Sequence, residues 1–142
     1  MARFFQGIGL YMKKPIREIP LANGLTIRFF DATRRYFGDY HQVRIQISCE
    51  VPLTPDLFED GNAHQDALKL LGATVSYCKD IEHQGVATDS IEGVVEKVVQ
   101  QFVDHSLGYF NVASFPKKLV QAELSRVTGR AKSFVPLRGI HG

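Results

Sequence analysis

Between His41 and Val51, apolar and polar side chains alternate for eleven residues without a break. Val43, Ile45, Ile47, Cys49 and Val51 fall on one side, and Gln42, Arg44, Gln46, Ser48 and Glu50 on the other. A strand turns successive side chains to opposite faces, so this run predicts a strand with one face in a core and the other against water or a polar partner. Pro52 and Pro55 end it, because proline cannot donate to a ladder.

Two shorter segments lead into that strand. Arg17 to Leu21 predicts a first strand, and Asn23-Gly24 predicts a tight hairpin turn with both residues at positive φ. Leu25 to Phe30 follows as a second strand, with Leu25, Ile27 and Phe29 on one face. Asp31 to Tyr40 is expected to be a loop, and Ala73 to Val86 a fourth strand that carries Val75, Tyr77 and Ile81 on one face.

From Asp89 the apolar period changes from two to between three and four. Ile91, Val94, Val95, Val98, Val99, Phe102 and Val103 mark one side of a helix of about four turns, and Asp89 with Glu92 predicts a capping box at its start. Valine is a weak helix former, so burial across the apolar face of the sheet must hold this helix. Ala63 to Leu71 predicts a short helix stopped by Gly72. Ser114-Phe115-Pro116 opens a last helix through about Thr128, striped by Leu119, Val120, Leu124 and Val127. Strands first and helices last predict an α+β fold: a mainly antiparallel β-sheet, a meander of about four strands, with two or three helices packed on one face.

A chain of 142 residues with 44% hydrophobic and 23% charged residues suits a single domain, residues 1–142, and excludes disorder as a whole-chain description. At its ends lie an apolar N-terminal arm (residues 1–15, with Phe4, Phe5, Ile8, Tyr11 and Met12) and a basic C-terminal tail (residues 129–142). The net charge of +2 is unevenly spread. Residues 1–49 carry a balance of +5, residues 50–97 of −7 and residues 98–142 of +4. Such alternation lets ends dock on middles, within one chain or between copies, and favours self-association over nucleic acid. No secretory signal and no stretch of about 20 apolar residues is visible, so the expected location is the cytoplasm, with no membrane contact and both cysteines as thiols.

Catalytic signatures are missing: no GxSxG, HExxH, GxxxxGK[ST] or DxDxDG occurs. Gly7-Ile8-Gly9 lacks the third glycine of a dinucleotide turn, and the five histidines and two cysteines show no metal-ligand spacing. No cofactor or metal is therefore expected. No motif sets the chain in a known family. The segment with most chemical content is 31–40, where Arg34, Arg35, Tyr36 and Tyr40 could clamp and stack on an anionic small molecule or nucleotide. Asp31 to Thr33 suits an Asx turn, and Gly38 an unusual backbone angle. The sequence thus favours an interaction or oligomerisation module, binding itself or another protein. The alternative is an anion binder, or an enzyme acting on such an anion, using Arg34, Arg35, Tyr36 and Tyr40.

Overall fold

The computed structural model describes residues 14–132; most of the N-terminal arm and most of the C-terminal tail lie outside them. Five strands and three helices follow in the order β1 (Arg17–Pro20), β2 (Thr26–Asp31), β3 (Arg34–Phe37), β4 (Tyr40–Pro52), α1 (Gly61–Leu71), β5 (Thr74–Ala87), α2 (Ile91–Phe110) and α3 (Phe115–Lys132). The fold is α+β with an antiparallel sheet. The chain divides into two compact units. Among the described residues, one holds residues 14–50 and Ser76–Val112, the other Val51–Val75 and residues 113–132.

The first unit is built on β4. β2 pairs with it from Ile27↔Cys49 to Asp31↔Ile45, and β3 from Arg34↔Gln42, in one unbroken register. The Ala32 amide bridges the gap by donating to the Arg44 carbonyl (2.8 Å). β2 and β3 are therefore one interrupted arm of a long hairpin with β4, and β5 pairs with β4 as well. This corrects the expectation of a loop at 31–40. Arg34–Phe37 is strand, and only Gly38-Asp39 turns, with Gly38 at φ 54°. The alternation that would have announced it is broken by Ala32-Thr33 and by a bulge between Arg35 and Phe37.

Odd-numbered residues of β4 and their β2 partners form the dry face. Ile27, Phe29, Val43, Ile45, Ile47 and Cys49 are all buried, and α2 supplies Val98, Val99, Phe102 and Phe110 to the same core. The Phe102 ring meets Phe29 edge-on at 5.6 Å, and Phe110 meets Tyr77 of β5 at 4.8 Å. Tertiary burial thus holds a helix that its valines alone would not. It is also longer than its stripe suggests, twenty residues to Phe110. The expected capping box does not form: Thr88–Ser90 make a single 3₁₀ turn, Ser90 is the N-cap, and no side chain caps it.

The turn between β1 and β2 also departs from expectation. It spans Leu21 to Leu25, closed by hydrogen bonds between those two residues and from Gly24 N–H to Leu21 O, with Gly24 at φ 89°. Asn23 serves a different purpose from the one its turn propensity implies. Its Nδ2 donates to the Phe110 and Val112 carbonyls (both 2.8 Å), its Oδ1 accepts from Leu25 N–H, and Ala22 N–H donates to Asn111 Oδ1 (2.7 Å). The turn satisfies carbonyls orphaned at the end of α2.

In the second unit α1 packs on α3, with Ala67, Phe115 and Val120 buried. Asp60 caps α1 by accepting from Ala63 N–H (2.8 Å), and Gly72 at φ 85° closes it, as its position predicts. His64 of α1 stacks on Phe58 (5.2 Å) and its Nε2 lies 3.0 Å from the Leu53 carbonyl.

Candidate functional site

The face of the sheet opposite α2 carries the polar half of the β4 alternation, and its charges are spent on one another. Arg44 stands between two carboxylates of β5: its Nη2 is 2.8 Å from Asp80 Oδ2 and its Nε 3.3 Å from Glu82 Oε2. Gln42 Nε2 donates to Glu82 Oε1 (3.3 Å), and Arg34 Nε donates to Gln42 Oε1 (3.1 Å). Farther along the face, Arg28 Nε pairs with Glu18 Oε2 at 2.8 Å. Arg44 thus meets Asp80 and Glu82 directly and Arg34 joins them through Gln42, one connected polar network across three strands. Gln42 is buried at its centre, where an amide can both donate and accept.

Of the residues that the sequence singles out, the structure gathers some and separates others. Arg34 is opposite Gln42 and Arg35 opposite His41, so the two guanidiniums leave opposite faces of the hairpin. A small anion held by one is turned away from the other. The exposed Arg35 has no side-chain partner among the described residues, and Tyr36 and Tyr40 are about half exposed, at 51% and 49%. Asp31 and Thr33 form the expected Asx turn, Thr33 N–H donating to Asp31 Oδ1 at 2.9 Å. The Asp39 carbonyl accepts from Thr88 N–H (3.1 Å), which ties the hairpin tip to the end of β5.

Sequence reasoning missed the Gln42, Arg44, Asp80 and Glu82 group. Its signal was present as parity: Gln42 and Arg44 share one face of β4, and Asp80 and Glu82 share one face of β5. Which strand lies beside β4 is a long-range fact, and it alone brings the two pairs together.

The cysteines occupy different environments. Cys49 lies in the core beneath α2, where burial pushes its thiol up to about 11, with Arg28 opposing and Glu50 adding to the shift. Cys78 shares the parity of Asp80 and Glu82, and its neighbour Tyr77 faces Phe110 on the α2 side. Burial also raises the Tyr77 phenol above its usual value, and Tyr109 and Cys78 add to this.

β5 has a second feature. It is fourteen residues long and pairs with β4 along one side, and among the described residues no strand pairs with its outer side. Lys79 and residues 82–85 of this strand are exposed, and Gly85, at φ 67°, kinks it near its end. Among the described residues no group of three or more His, Cys, Asp or Glu side chains could hold a metal ion, and no helix is long and apolar enough to cross a membrane. Comparison with protein-family models, with curated proteins and with solved structures finds no match.

Proposed function

We propose that the chain is a non-catalytic interaction module of the cytoplasm that engages another protein, or a second copy of itself, by strand addition at the outer edge of β5. One observation carries this reading: a fourteen-residue strand that, among the described residues, is paired along one side only. Unpaired ladder groups are a template for another strand, and main-chain hydrogen bonds supply affinity without a preformed pocket. The mutual pairing of Arg34, Gln42, Arg44, Asp80 and Glu82 adds support, since groups engaged with each other are poor acids, bases or anion clamps. Thiols fit a reducing compartment. A stable contact would bury at least about 1,000 Å².

Hydrogen exchange on the full chain over a range of protein concentration tests the proposal. Amides of residues 76–84 that face outward gain protection as concentration rises. Exchange of those amides at one fast rate at every concentration, with and without added cell extract, contradicts it.

The exposed tip residues Arg35, Tyr36 and Tyr40 favour a second reading, a planar anion held at the hairpin without Arg34, which faces the other way. Thermal-shift measurements with nucleotides and phosphorylated metabolites test it, because a ligand at a hundred times its dissociation constant adds about 2.7 kcal/mol. A shift that survives Arg35→Ala and Tyr36→Ala together removes this reading.

A further inference from the structure

Strand addition by a second copy is constrained by the charges that β5 itself carries. A two-fold axis perpendicular to the sheet pairs β5 antiparallel with its copy, and each register is defined by the residue that faces itself. Opposed residues then share a face, with side chains about 5 Å apart, and like charges in that position are repulsive. Centring the axis on Lys79 opposes two ammonium groups, and centring it on Asp80 or Glu82 opposes two carboxylates. Centring it on Ile81 sets Asp80 against Glu82 twice. An axis at His83 or beyond draws the kink at Gly85, φ 67°, into the new ladder. An axis at Tyr77 or earlier shortens the overlap, because β5 starts at Thr74.

The axis at Cys78 meets none of these obstacles. It sets Ser76 opposite Asp80 on the ion-pair face, where a hydroxyl can donate to a carboxylate. On the α2 face it sets Tyr77 opposite the exposed Lys79, where an ammonium can lie against a ring. The same charges that guard an edge against random pairing thereby select one register.

We infer that β5 is the interface of a symmetric homodimer, joined edge to edge with Cys78 on the two-fold axis. The inference rests on the strand-addition reading and names its partner as a second copy of this chain.

Size-exclusion chromatography with light scattering on the full chain, as wild type, Ser76→Asp and Ser76→Lys, tests it. Ser76→Asp places a carboxylate opposite Asp80 twice in each dimer and weakens dimerisation by about tenfold, whereas Ser76→Lys tightens it. Far-UV circular dichroism establishes that each variant is folded. A short bismaleimide on the wild-type chain is independent of any variant and captures a covalent dimer through Cys78, lost in Cys78→Ser.

Equal dimer affinity in all three chains, with no Cys78 cross-link, overturns the Cys78-centred interface. Concentration-dependent protection of β5 amides would then still support strand addition by another register. A monomeric wild type with unprotected β5 amides overturns both.

Discussion

Replacing Phe102 by alanine tests whether α2 is held by the sheet rather than by its own propensity. The ring is 5% exposed and lies 5.6 Å from both Phe29 and Phe110. Its removal loses the transfer free energy of a buried aromatic and leaves a cavity. Phe29 opposite is fully buried and sits in the β1–β2–β4 ladder, so the site has little freedom to collapse. Substitutions of this kind cost about 3–5 kcal/mol. For a chain of this size each kcal/mol moves the melting temperature by about 2–4 °C, so a fall of about 6–20 °C is expected. Urea unfolding followed by far-UV circular dichroism measures the loss. Gln101→Ala, next in sequence and solvent-exposed, serves as the control and changes stability by less than about 0.5 kcal/mol. The double cycle of Phe29→Leu and Phe102→Leu gives a coupling of about 0.5–1.5 kcal/mol for an edge-on pair. A loss below about 1 kcal/mol for Phe102→Ala, or an equal loss for Gln101→Ala, refutes the packing argument.

Three further outcomes follow from the same contacts. Asn23→Ala removes three side-chain hydrogen bonds, two that tie the β1–β2 turn to the end of α2 and one within the turn, and destabilises the chain by about 2–3 kcal/mol in chemical denaturation. Asp60→Ala removes the N-cap of α1 and costs about 0.5–2 kcal/mol, with Asp60→Asn restoring most of it. The Cys49 thiol is held protonated in the fold up to about 11 against a reference of 9.0, so its contribution is complete below pH 9 and is lost as the pH climbs toward 11. Stability measured by urea unfolding therefore falls across that window by up to about 2–3 kcal/mol, the fall is reduced in Cys49→Ala, and iodoacetamide at pH 8 leaves Cys49 unlabelled until the chain unfolds.

Local pattern was enough wherever one element meets one core. The β4 alternation and the α2 stripe are both readable because each repeats its period past three turns or pairs. The structure buries the odd residues of β4 and Val98, Val99 and Phe102 of α2 as that pattern requires. Where two constraints compete, pattern was insufficient. The 31–40 segment is strand although Ala32-Thr33 interrupts it, because β4 offers a ladder on which both halves share a register. Asn23-Gly24 satisfies the end of a helix eighty-seven residues away, a partner that no local rule supplies. The candidate site was legible by residue type and not by direction. Two adjacent arginines suggest a clamp, and a strand turns them apart.

Sedimentation velocity of the full chain over a wide concentration range separates a β5-paired dimer from a monomer. An edge-paired dimer sediments at twice 15.9 kDa and dissociates on dilution. A mass of 15.9 kDa at every concentration contradicts self-association through β5.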